Sequence, residues 1–188
     1  MKGDFLFTRI HRVNTLCFVC ALLQYICNSI TMGLLKGLNP ILTADLLYVL
    51  RNMGHGDSLC ICDCNFPAAS ISQQTTSKAH IILTVSLPEA LEAITSLLPL
   101  DHFVECPATH MAPQGNMEMP PAGIEVIDEA KKIVREASDI DIMPVERFEF
   151  YEESKKCYAI VQTIERRPYA NVILTKGVIG PDGKDLKP

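Results

Sequence analysis

An imidazole between two glycines, His55 in the run Met53-Gly54-His55-Gly56-Asp57, is the first place where residue type and spacing point to chemistry. Glycines on either side leave room beside the backbone and can adopt positive φ. An imidazole at the end of an element is exposed and exchanges protons near neutral pH. A short apolar run, Leu59 to Cys62, then leads to a carboxylate at Asp63, followed by Asn65-Phe66-Pro67. Arg147 and the pair Tyr169 and Asn171 complete a set of polar residues at the predicted ends of elements. Each has an ordinary reading as well. His55 serves as a helix C-cap imidazole favoured by the macrodipole. Asp63 forms a turn by bonding its own backbone. Arg147 pairs with Glu146 or Glu149 at the surface. Tyr169 and Asn171 are turn and strand-start residues.

The elements that must position these side chains are legible from period and punctuation. Leu42, Leu46, Leu47, Leu50 and Met53 recur at helical spacing, with Thr43 as N-cap, Asp45 in the first turn and Gly54 at the end. Residues 58–63 read as a buried strand, 68–79 as a loop and 80–85 as a strand. Ser86-Leu87-Pro88-Glu89 is a capping box opening a helix that buries Leu87, Leu91, Ile94, Leu97 and Leu98. A short strand is expected at 103–106, a long loop at 107–122 and an amphipathic helix at 123–137. Residues 145–152 form a turn feeding a short helix. Strands at 158–163 and 172–175 flank Arg166-Arg167-Pro168-Tyr169-Ala170-Asn171. Strands alternating with helices predict an α/β fold around a largely parallel sheet. In such sheets the loops at strand C-termini build the ligand site. Asp63 and Asn65 lie at such an end. His55 lies before its strand and reaches that site only from the opposite edge or from another subunit.

Composition limits the function. The 188 residues favour one domain, and 48% hydrophobic content suffices for its core. A net charge of −5 gives no footprint for nucleic acid. Trp is absent, which disfavours indole-stacking carbohydrate modules. Cys60, Cys62 and Cys64 alternate onto one face and the eight cysteines show no zinc spacing, so free thiols in a reducing, cytoplasmic setting are expected. A thiol redox or metal protein is the competing reading. No catalytic triad, nucleophile elbow or phosphate loop occurs, and no cofactor is implied. Residues 1–32 differ from the body, 33–188. Lys2, Arg9 and Arg12 precede an apolar run interrupted by Gln24 and Asn28, too short to span a membrane. The segment reads as an alternative start with Met32 as initiator, as a targeting segment or as an added helix.

The runs Leu46-Leu47, Met53 to Asp57, Asp63-x-Asn65-Phe66-Pro67-Ala68, Leu97 to Asp101, Glu146 to Glu152, Tyr169-Ala170-Asn171 and Lys176-Gly177-Val178 together resemble the fucose mutarotase and ribose pyranase family. The resemblance covers about 34–179, and Arg147 is closer to the fucose branch. It implies a Rossmann-like three-layer α/β domain, homo-oligomers in rings or smaller assemblies with sites at subunit contacts, and anomer interconversion of L-fucose without cofactor or metal. By the same resemblance His55 is the proton donor, and Asp63, Arg147, Tyr169, Ala170 and Asn171 bind the sugar. Members begin near Leu34, which favours Met32 as the start. Two positions depart from the pattern. Lys78-Ala79-His80-Ile81 replaces Arg-Ala-Asp-Gly before the capping-box helix, and Pro168 restricts the backbone before Tyr169. D-ribose pyranose–furanose interconversion and non-catalytic sugar binding remain alternatives.

Overall fold

The computed structural model describes residues 33–188; the readings made for residues 1–32 lie outside them. The chain divides into two units, 1–38 and 39–188. Of the first, only a short turn is described, in which the Leu38 N–H donates to the Leu35 carbonyl.

The second unit is built on a six-stranded sheet of order β2-β5-β1-β6-β3-β4. Its elements are α1 (Ala44–Asn52), β1 (Ser58–Cys62), α2 (Ala68–Ser72), β2 (Ala79–Ile82), α3 (Leu87–Thr95), β3 (Ala108–Ala112), α4 (Pro121–Ser138), β4 (Met143–Glu146), α5 (Arg147–Lys156), β5 (Ala159–Gln162) and β6 (Val172–Thr175). Neighbouring strands are parallel except at β6, which runs antiparallel to both β1 and β3. Five strands therefore share one direction, as the expected largely parallel sheet requires. Helices cover both faces. On one, Cys60 and Cys62 of β1 join Ile160, Ile173 and Met111 under Phe150 of α5 and Ala68 and Ile71 of α2. The alternate residues Leu59 and Ile61 point the other way. They are fully buried on the face where α3 packs on β1 and on α4.

Local signals hold where they are strong. Thr43 Oγ1 caps α1 by accepting the Leu46 N–H at 3.2 Å. The Glu89 carboxylate accepts the Ser86 hydroxyl at 2.6 Å and the Ser86 N–H at 2.8 Å, and these bonds hold its pKa below the usual range. Other expectations are corrected. Residues 103–106 form no strand, and Phe103 and Val104 are exposed there. The strand lies instead at Ala108–Ala112, inside the expected loop. Its Ala-Thr-His-Met-Ala sequence carries no alternation, and pairing with β6 and β4 decides its state. The expected 68–79 loop begins with α2, whose short Ser-rich sequence is helical because Ala68 and Ile71 are buried. Leu97 is 42% exposed, one residue off the buried stripe of α3. Cys64 lies beyond β1 and is exposed, whereas Cys60 and Cys62 are core; the five described cysteines are free.

Candidate functional site

The sequence-predicted residues fall into two groups at opposite ends of β1. His55 precedes the strand and Asp63 follows it. Along an extended strand that separation is on the order of 15–20 Å.

At the first end, α1 stops at Asn52 and the chain turns through Gly54–Asp57. The Gly54 N–H donates to Asp57 Oδ2 at 2.7 Å, and the Asp57 N–H to the Gly54 carbonyl at 3.2 Å. Gly56, at φ +83°, is the glycine that uses the left-handed region; Gly54 does not. His55 projects from this turn with its side chain 51% exposed, and its Nε2 lies 3.0 Å from Oδ2 of Asp101, which is 1% exposed. It is not the cap of α1. That role falls to Lys176, whose Nζ donates to the Leu50 carbonyl at 2.9 Å and the Met53 carbonyl at 2.5 Å. Burial pushes this ammonium's pKa down, with Arg51 adding to the effect. Asp101 is held in turn. Its Oδ1 accepts the Phe103 N–H at 2.9 Å, and its own N–H donates to the Thr175 carbonyl. Gly177 lets the chain after β6 cross the Leu100–Asp101 backbone closely, since a Cβ there would overlap the Leu100 carbonyl. Asp101 and Lys176 are the neighbours of the His55 turn that single-residue reasoning missed. Both stand in the runs quoted above, Leu97 to Asp101 and Lys176 to Val178, but nothing local ties either to His55.

At the second end, Asp63 is 3% exposed. Its Oδ1 accepts the N–H groups of Asn65 at 2.8 Å and Phe66 at 3.0 Å, so the turn-forming reading holds. Its Oδ2 accepts from Asn171 Nδ2 at 3.1 Å, while Asn171 Oδ1 accepts the Asp63 N–H at 3.0 Å. Burial raises the Asp63 pKa, and these hydrogen bonds oppose the rise. Tyr169 sits at φ +63°, a left-handed conformation rare for a bulky residue, and packs against the Phe66–Phe150 cluster. Ala170 is fully buried beside it. The Met111 N–H donates to the Asn171 carbonyl, and Ala112 stands opposite Glu146. The end of β4 therefore opens on the same edge, about 10 Å away across two strand spacings. Arg147 follows there as the first residue of α5. No carboxylate among the described residues pairs with it; its guanidinium lies 4.6 Å from the Phe148 ring centroid. The Glu146 carboxylate instead accepts the N–H groups of Phe148 and Glu149. Arg147 Nε and Glu146 Oε1 are buried without a hydrogen-bond partner among the described residues. An unsatisfied donor and an unsatisfied acceptor on consecutive residues are suited to ligand hydroxyls.

The structure thus brings Asp63, Tyr169, Ala170 and Asn171 together, sets Arg147 on the same edge and leaves His55 at the far end. An open groove of about 520 Å³, lined in part by Ser58, Thr109 and Cys157, contains none of them. Among the described residues no group of three or more His, Cys, Asp or Glu is placed to hold a metal ion, and no helix is long and apolar enough to cross a membrane.

Comparison with known proteins adds to this geometry. Residues 36–179 match the model of the RbsD / FucU transport protein family. The chain is 41% identical to "Fucose mutarotase" of Homo sapiens over 155 residues, 79% of this chain and 96% of that protein. It is 39% identical to "Fucose mutarotase" of Danio rerio over 158 residues, 80% of this chain and 98% of that protein. Its fold superposes on the crystal structure of the fucose mutarotase in complex with L-fucose from Streptococcus pneumoniae with a TM-score of 0.68. That pair is 34% identical over 78% of this chain and 100% of the other.

Proposed function

The chain belongs to the RbsD / FucU transport protein family, and from that membership and the geometry above we propose that it interconverts the α and β anomers of L-fucose. The observation that carries the reading is the half-exposed His55 on a buried Asp101, in a chain about 40% identical to proteins named fucose mutarotase.

Mutarotation breaks the bond between the anomeric carbon and the ring oxygen. The ring oxygen gains a proton and the anomeric hydroxyl loses one, leaving an open-chain aldehyde. Rotation about the first carbon–carbon bond and closure on the other face reverse both transfers. The balance needs no electron acceptor and no covalent intermediate. His55 suits the donor's part. A carboxylate accepting from Nε2 leaves Nδ1 as the nitrogen free to give a proton to the ring oxygen and take it back. Asp101 fixes the ring plane and supports the imidazolium. Positioned acid–base catalysis of this kind contributes about 10²–10⁴-fold. The group that accepts the anomeric proton is water or a neighbouring side chain.

Asp63, Asn171 and the Tyr169–Ala170 backbone hold the sugar's orientation, and Arg147 binds hydroxyls through its planar fork of donors. Because His55 stands at the other end of β1, the complete site takes His55 from one copy of the chain and the binding group from a second. The protein is accordingly a homo-oligomer in this reading. Its free thiols fit a cytoplasmic setting.

The test is saturation-transfer NMR on equilibrated L-fucose, irradiating one anomeric proton and watching the other. Enzyme-dependent transfer that folded His55→Ala loses is the expected result. A folded wild-type protein that adds nothing to the buffer rate rejects the proposal for L-fucose, and D-ribose is the comparison sugar.

A further inference from the structure

Tyr169 is the one residue of the binding group whose backbone is strained. A non-glycine residue held at positive φ is strained and persists only where its surroundings over-determine it. The surroundings here are specific. Residues 163–171 join β5 to β6, and Arg167 stands two residues before Tyr169. Its Nε and Nη2 donate to the two carboxylate oxygens of Glu165 at 3.0 and 2.8 Å. Its Nη1 and Nη2 donate to the two oxygens of Glu129 on α4 at 2.8 and 3.3 Å. Glu165, 7% exposed, also accepts the N–H groups of Arg166 and Arg167 on Oε1. The Glu165 carbonyl accepts the Cys64 N–H at 2.9 Å, which ties the loop to the Asp63 turn. On the other side the Pro168 carbonyl rests on Gly123 of α4, where a Cβ would come within 2.8 Å of it.

We infer that Arg167 is a positioning residue of the binding group: by bridging Glu129 on α4 and Glu165 in its own loop, it sets the left-handed Tyr169 and the Ala170–Asn171 backbone in the binding conformation. An isolated exposed ion pair would not carry this. A forked guanidinium on two carboxylates, one of them buried, fixes direction as well as distance. Arg166 donates only its backbone N–H to Glu165, and no ion pair of its side chain occurs among the described residues. The arrangement also accounts for Pro168, which narrows the backbone between the bridge and Tyr169. The inference rests on the mutarotase reading for its kinetic consequence, though not for its structural one.

Arg167→Met, Arg167→Lys and Gly123→Ala, assayed as full-length protein, test it by two readouts. The first is KM and kcat for L-fucose by anomeric exchange. Arg167→Met is expected to raise KM about tenfold with kcat within about twofold, since His55 and Asp101 are untouched. Lysine is not expected to rescue it, because a point charge cannot grip both carboxylates in a fork. Gly123→Ala, which pushes on the Pro168 carbonyl without removing a charge, is expected to raise KM in the same direction. The second readout is amide hydrogen exchange, independent of activity. The Asn171 and Cys64 amides should exchange faster in Arg167→Met while those in the middle of α4 do not. Folded Arg167→Met with wild-type KM and wild-type exchange at Asn171 overturns the inference. So does a fall in kcat alone, or faster exchange throughout the domain, which marks a purely structural role. If wild type does not exchange the anomers of L-fucose, the mutarotase reading fails, and the bridge stands or falls on the exchange of Asn171.

Discussion

The two ends of β1 are built on different principles. At the His55 end one half-exposed ring leans on one buried carboxylate, and the turn that carries it is held by backbone bonds and by Lys176 capping α1. At the Asp63 end the carboxylate is buried and bonded on both oxygens, its partner Asn171 is used on both amide atoms, and the adjoining loop is strained and bridged. The difference teaches a division of labour. A group that transfers protons needs solvent access and a free nitrogen, so few of its atoms are tied. A group that orients a small polyhydroxyl ligand benefits from being fixed beforehand. Damage at the first end should therefore appear in kcat, and damage at the second in KM and in folding stability.

The sharpest way to break that contrast is His55→Ala, expected to lower kcat by about 10²–10⁴-fold, with a loss of stability smaller than that of Asn171→Ala because the half-exposed ring gives way to water at Asp101; a large rise in KM with kcat preserved would move His55 into the binding group. Asn171→Ala strips Asp63 of its side-chain partner inside the core. It should cost about 2–3 kcal/mol of stability by denaturant titration and weaken L-fucose binding. Lys176→Met leaves the Leu50 and Met53 carbonyls without their cap. A loss of about 1 kcal/mol and a fall of a few-fold in kcat are expected, with KM unchanged. The last effect is a dependence on pH. The hydrogen bonds from Arg167 hold the Glu165 pKa down to about 2, below its unfolded value of 4.5. A depressed carboxylate adds stability that is fully present above its unfolded pKa and is lost as pH falls toward 2. Glu165→Gln should therefore be less stable than wild type at pH 7, by about 1–2 kcal/mol, with the gap closing between pH 4.5 and 2 in denaturation midpoints.

How much of this was legible in the sequence depends on how local its cause is. The Thr43 cap, the Ser86–Glu89 box and the stripe of α4 are set by residues within one or two turns, and the structure has all three. β3 was hidden because its strand state comes from β6 and β4, far along the chain. The placement of His55 and Asp63 at opposite ends of one strand was readable from spacing alone. Asp101, which joins His55 across 46 positions, was not, and neither was the bridge from Arg167 to Glu129 across 38. In sequence Arg167 is one of two adjacent arginines; only the fold distinguishes it from Arg166.

The central claim is that one copy of the chain supplies His55 and another supplies the Asp63–Asn171 group. It is tested most directly by mixing two impaired variants, His55→Ala and Asp63→Asn, refolded together at equal concentration and assayed below the wild-type KM for exchange between the anomers of L-fucose. If sites form between copies, random mixing rebuilds about a quarter of them, each with an intact His55 from one variant and an intact Asp63 from the other. Activity should then rise from the level of either variant alone to about a quarter of wild type. A mixture shown to contain hybrid oligomers, yet no more active than its parts, would contradict the account.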